Sequence, residues 1–221
     1  MQWQKFKEIR LIAQWSITQR THMPKKYTDI TGVILVGGKS CRMGRDKAFL
    51  EIEGKTMFEK IFDAFSENFS RIVLIGDREE RFANYHVPIY ADLFPGSALG
   101  GLYTGLYYSE TDYVFVSSCD LPYPSSSVIN HICPLAVGCD AVVPKLSHGY
   151  EPLFAAYSRN CLAPIKSMLE ALNFCVYDLY PLINVKDVSE EDLESVVESP
   201  YAFINLNTPA EYEAVKGKEH A

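Results

Sequence analysis

Four cations, Lys39, Arg42, Arg45 and Lys47, stand within nine residues, and Asp46 is the only acid among them. They follow Gly37-Gly38, which in turn follow the apolar run Val33–Val36. Consecutive glycines let a backbone pass close to a ligand and expose its N–H groups. Amide donors and fixed positive charge at the end of a strand suit a triphosphate. Two familiar phosphate loops do not fit. Gly38 and Gly44 have the wrong spacing for Gly-x4-Gly-Lys-Ser/Thr, and Lys39 stands where Gly-x-Gly-x-x-Gly needs its second glycine. The plainer reading of the same residues is a solvated basic turn.

Three further groups invite the same question. Asp120 lies in Ser118-Cys119-Asp120-Leu121-Pro122, after the apolar run Tyr113–Val116. A carboxylate on a strand's last residue could hold Mg2+, which commonly takes one or two carboxylates together with substrate phosphates. It could equally be a turn or helix-cap residue. Asp92 precedes Pro95-Gly96-Ser97-Ala98-Leu99-Gly100-Gly101, a second glycine-rich segment in which Asp92 could also serve as a cap. Asn205 and Asn207 fall in an Asn-x-Asn-Thr-Pro run. On a strand, alternation puts both on one face, although Asn207 could cap or turn without touching a ligand. His86, His131 and His148 form no nucleophilic arrangement with a Ser or Cys and read as surface or satisfied residues.

The elements that must position these groups alternate. Strands are expected at Val33–Val36, Arg71–Ile75, Val87–Tyr90, Tyr113–Val116, Asp140–Val143, Leu153–Tyr157, Ile183–Val188 and Ala202–Leu206. Helices are expected at Thr56–Phe65, Leu99–Tyr108, Pro124–Cys133, about Asn160–Leu172, after Ser189 and after Thr208-Pro209. Asp192 and Glu211 sit where capping boxes opened by Ser189 and Thr208 need them. Short apolar strands alternating with helices predict an α/β fold with a mostly parallel, doubly wound sheet. In such sheets ligands bind beyond the carboxyl ends of the strands.

With 221 residues, 48% of them apolar and 22% charged, the chain can bury a real core. Its net charge is −7, so bulk attraction to nucleic acid or anionic lipid is not expected. No window approaches the ~18 apolar residues of a membrane span. Six cysteines without a CxxC pair argue against a zinc site or a disulfide scaffold and for reduced thiols in the cytoplasm. Residues 1–29 fit a secretory signal poorly, because Gln14 and Gln19 interrupt any apolar stretch. They read as an N-terminal extension, disordered or helical, or as sequence ahead of a later start at Met23. No linker divides the rest, so residues 30–221 are expected to form one domain.

In this order the pieces resemble the molybdenum cofactor guanylyltransferase family, which is MobA-like, within the larger nucleotidyltransferase group. The residues that carry the resemblance are ITGVILVGGKSCRMGRDKAFLEIEGK, Asp92 with Pro95-Gly96 and GGLYTGL, SSCDLPYP, EPLFAAYS and FINLNTPAEY. Together they cover nearly everything from Ile30 onward. Val36 stands where the family usually has Ala, and Ser97-Ala98 where it usually has Gly-Pro.

The resemblance implies a Rossmann-like nucleotidyltransferase fold and transfer of GMP from GTP to molybdopterin, or its molybdenum-loaded form, with release of pyrophosphate. By motif, Leu35, Val36, Gly37 and Gly38 would line the nucleotide, with Asp92 in contact with it. Lys47 and Arg42 would meet its phosphates, Asp120 would hold Mg2+, and Asn205 and Asn207 would look toward the pterin substrate. Transient contacts with other cofactor-biosynthesis proteins or acceptor enzymes would follow. Three alternatives stay open: a CTP-dependent relative, a sugar-phosphate nucleotidyltransferase, and a nucleotide-binding module without catalysis.

Overall fold

The computed structural model of the protein describes residues 26–37, 47–77, 79–197, 202–206 and 208–216. Among the described residues, ten strands run in chain order: β1 Ile30–Leu35, β2 Glu51–Ile52, β3 Lys55–Thr56, β4 Ile72–Ile75, β5 Ile89–Tyr90, β6 Tyr113–Ser118, β7 Ala141–Leu146, β8 Gly149–Tyr150, β9 Phe154–Ser158 and β10 Val185–Ser189. The helices are α1 Met57–Asn68, α2 Glu79–Phe82, α3 Ala98–Tyr108, α4 Ser126–Ile132, α5 Leu162–Glu170, α6 Glu190–Glu194 and α7 Pro209–Lys216.

The main sheet has the order β10-β7-β9-β6-β1-β4-β5, with β8 hairpinned onto β7, while β2 and β3 pair separately. β1 lies parallel to both β4 and β6. β9 alone on that path is reversed, antiparallel to β6 and β7. The doubly wound, mostly parallel sheet expected from the alternating pattern is therefore present. The chain leaves β1 toward β4 and β5, then returns across β1 to β6, so a topological switch point lies between β1 and β6.

Strands buried on both faces read as unbroken apolar runs. On β1, Ile30 and Ile34 join the core beneath α1 and α4, whereas Val33 joins the opposite core beneath α3 and α5. Glycine lets α3 approach β1 closely: a Cβ at Gly105 would lie 2.6 Å from Val33 Cγ1. Thr56 opens α1 with a capping box closed by Glu59, and the boxes expected at Ser189/Asp192 and Thr208/Glu211 are both formed. Anchoring begins ahead of β1, because Tyr27 N donates to Asn68 O at 2.8 Å and Tyr27 accepts from Ser70 N at 2.9 Å.

One expected element is not a strand. Residues 202–206 form a turn and an irregular stretch. Ala202 and Leu206 are buried and Ile204 partly so, without a sheet neighbour among the described residues. Leu206 joins Leu50, Ile52, Met57 and Val215 in a small separate cluster, with Ile204 packed against it. The Leu206 N–H is satisfied by Asp120 O at 3.0 Å.

Candidate active site

Four strands end level at the switch point. Leu35 on β1 is registered with Ile75 on β4 and Ser118 on β6, and Ile75 with Tyr90 on β5. Val36 and Gly37 leave β1 with both amides bonded to Ile75 O, at 2.9 and 3.1 Å. Gly76 leaves β4 alongside them. A Cβ there would stand 2.7 Å from Gly37 N and 3.0 Å from Val36 C, both backbone atoms.

Asp120 lies in a turn two residues past the end of β6, not on the strand's last residue as expected. β6 ends at Ser118, whose hydroxyl donates to Asp120 Oδ1. The turn is held from two sides, by Leu206 N on Asp120 O at 3.0 Å and by Ser118 N on Leu153 O at 3.4 Å. Lys47 opens a 3-10 turn, Lys47–Phe49, and Leu50 N returns to its carbonyl at 3.1 Å. Leu50 and Leu206 share one apolar cluster, against which Tyr123 also packs. The turns that carry Lys47 and Asp120 are thus tied to the same 202–206 segment.

Asp92 follows β5 by two residues. Its Oδ1 accepts from the Thr104 hydroxyl at 2.7 Å and from Phe94 N at 3.0 Å, and Leu93 N donates to Thr104 Oγ1 at 3.0 Å. The carboxylate therefore braces the glycine-rich loop against α3. Asn205 is partly buried and donates from Nδ2 to Glu151 Oε2 at 3.3 Å. Gly38, Arg42 and Asn207 lie outside the described residues. Among the described residues, no three His, Cys, Asp or Glu side chains gather as a metal cage, and no helix is long and apolar enough to cross a membrane.

Residues 32–176 match the family model described as the MobA-like NTP transferase domain. The chain belongs to this family. It is 34% identical over 182 residues to a protein of Pelotomaculum thermopropionicum named probable molybdenum cofactor guanylyltransferase, covering 82% of this chain and 89% of that one. It is 33% identical over 187 residues to the molybdenum cofactor guanylyltransferase of Desulfosudis oleivorans, covering 83% and 93%. In fold it is similar to molybdopterin-guanine dinucleotide biosynthesis protein A from Archaeoglobus fulgidus, with a TM-score of 0.76 and 22% identity, covering 86% and 99%.

Sequence reasoning passed over two residues at this end of the MobA-like domain. The close approach of Gly76 to β1 follows only from strand register, which no short window displays. Glu151 had a local signal: a lone acid between Tyr150 and Pro152, directly ahead of an apolar strand. The cysteines behave as small apolar residues where they are buried. Burial pushes the Cys161 thiol up to about 12 and raises that of Cys133 as well.

Proposed function

We propose that this nucleotidyltransferase transfers GMP from GTP to molybdopterin or its molybdenum-loaded form. The observation that carries the reading is the level ending of β1, β4, β5 and β6, with the Asp120 and Lys47 turns tied to one segment beside it. The names of the relatives supply the substrates.

A phosphate oxygen of the acceptor attacks the α-phosphorus of GTP. The bond from that phosphorus to the bridging oxygen breaks, and pyrophosphate leaves with the electron pair. The attacker is already anionic, so the protein's task is to align two anions and offset their charge. Lys47 and Arg42 meet the triphosphate. Leu35, Val36, Gly37 and Gly38 line the nucleotide, and Asp92, braced by Thr104, contacts it. Asn205 and Asn207 face the pterin.

Asp120 would hold Mg2+, a hard cation for which a single carboxylate is a suitable protein ligand when substrate phosphates are present. When bound, Mg2+ neutralises charge on the triphosphate and the leaving group. The enzyme works in the cytoplasm and passes its product on through transient contacts with other cofactor-biosynthesis proteins or acceptor enzymes.

The test is pyrophosphate release from GTP, CTP and UTP with molybdopterin as acceptor. GTP is expected to dominate. Preference for CTP would make the protein a cytidylyltransferase, and background release despite GTP binding would make it a non-catalytic module.

A further inference from the structure

Glu151 is 8% exposed and belongs to none of the groups assigned above. Burying a carboxylate is costly unless its oxygens are partnered, and here both are. Oε1 meets His148 Nε2 at 2.8 Å, and Oε2 accepts from Asn205 Nδ2 at 3.3 Å. The backbone of Glu151 is clamped as well. Its N–H donates to Pro144 O at 2.9 Å, and its carbonyl accepts from Phe154 N at 3.4 Å. Leu153, two residues on, accepts from Ser118 at the end of β6, and Leu206, next to Asn205, donates to Asp120. Glu151 is therefore two short links from the Asp120 turn on either route.

An amide can present either its oxygen or its nitrogen to a neighbour, but an ionised carboxylate only accepts. Glu151 therefore fixes which way the Asn205 amide is turned: Nδ2 toward the carboxylate, Oδ1 on the other arm. A pterin ring carries N–H donors, so an acceptor on that arm suits it. We propose that Glu151 is a positioning residue that holds Asn205 as a hydrogen-bond acceptor for the pterin of the acceptor substrate. This inference rests on the guanylyl-transfer reading above and deepens it at the acceptor side.

Exchanging the two functional groups provides the test. Glu151→Gln frees the Asn205 amide to turn either way, so molybdopterin affinity, followed by pterin fluorescence, should weaken about 2- to 10-fold, the range of one hydrogen bond. Asn205→Asp sets two carboxylates against each other and should weaken it further and lower Tm. The double variant Glu151→Gln/Asn205→Asp restores one donor and one acceptor. It should return both affinity and Tm to near the wild-type values, while the KM for GTP stays constant throughout.

Recovery of Tm without recovery of molybdopterin affinity would leave the pair purely structural and overturn the proposal. Wild-type affinity in both single variants would also overturn it. Failure of the guanylyl-transfer reading shows elsewhere, as wild-type protein that binds molybdopterin but releases no pyrophosphate from any nucleotide.

Discussion

Replacing Gly76 with Ala tests whether the packing of two strand ends sets the path of the chain as it leaves β1. The new Cβ would lie 2.7 Å from Gly37 N, 2.9 Å from Val36 Cγ2 and 3.0 Å from Val36 C. An ordinary contact begins near 3.4 Å, so the exit of β1 must retreat by about 0.7 Å, since backbone atoms cannot rotate away. Overpacking of this kind costs about 1–3 kcal/mol, which for a chain of this length lowers Tm by roughly 2–12 °C. Because a misplacement of about 1 Å can cost on the order of 10²-fold in rate, turnover of the folded enzyme should fall about 10- to 100-fold.

Gly32→Ala is the control. It lies on the same β1 strand but three residues before Leu35, and its Cβ would meet the rings of Phe65 and Phe69 at 2.7 and 2.8 Å. It should lower Tm comparably while leaving turnover per folded molecule within about 2-fold, because the strain falls on core side chains away from the strand end. The assay pairs thermal melting with pyrophosphate release from GTP and molybdopterin. If Gly76→Ala loses stability yet keeps its rate, or if both variants lose rate equally, the strand-end geometry does not govern the reaction.

Other consequences can be measured separately. Asp120→Asn keeps the volume and the Ser118 contact but removes the charge; turnover should fall on the order of 10²–10³-fold with a melting temperature close to that of the wild type, and a retained rate would remove Asp120 from the mechanism. Thr56→Ala should lower stability by about 1 kcal/mol through loss of the α1 cap, read from urea midpoints. Glu59 is held below the usual carboxylate range by the Thr56 backbone N–H and then its hydroxyl. Its contribution is therefore full above an unfolded value of about 4.3 and is lost as pH falls through the lower folded value. The gap between wild type and Glu59→Gln should accordingly be wide at pH 7 and narrow near pH 3, and an equal gap would refute the coupling. Thiolates are the reactive species, so native alkylation near pH 8 should label exposed Cys175 and spare buried Cys133 and Cys161; mass spectrometry showing Cys161 labelled as fast as Cys175 would contradict its burial.

The strand ladder was legible because parallel strands buried on both faces leave unbroken apolar runs such as those ending at Val36, Ile75 and Val116. Caps were legible for a similarly local reason: Ser189 with Asp192 and Thr208 with Glu211 need only three residues of context. The segment 202–206 misled because apolar alternation reports burial and not its means. Leu206 is buried in a side cluster with Ile204 partly buried against it, and among the described residues the ladder-like bond of this segment goes to Asp120. Asp120 itself was displaced from strand to turn by two residues, within the usual uncertainty of element ends. What stayed hidden depends on pairs distant in sequence. Gly76 matters only because β4 lies beside β1, and Glu151 finds Asn205 across 54 positions.

The reversal of β9 explains why such a distant pair forms at this end of the sheet. Were β9 parallel to β6, its first residue would lie at the amino ends of its neighbours, and the turn before it would open on the far side of the molecule. Because β9 is antiparallel, Phe154 is registered with Ser117 near the carboxyl end of β6. The 151–153 turn is thereby delivered beside Ser118 and the Asp120 turn. The return from β7 through β8 is short, so Glu151 remains clamped to Pro144 on β7 while its side chain reaches Asn205. One inverted strand thus adds a buried carboxylate to an edge where a uniformly parallel sheet would offer only strand ends, and the shortness of its hairpin keeps that carboxylate in place.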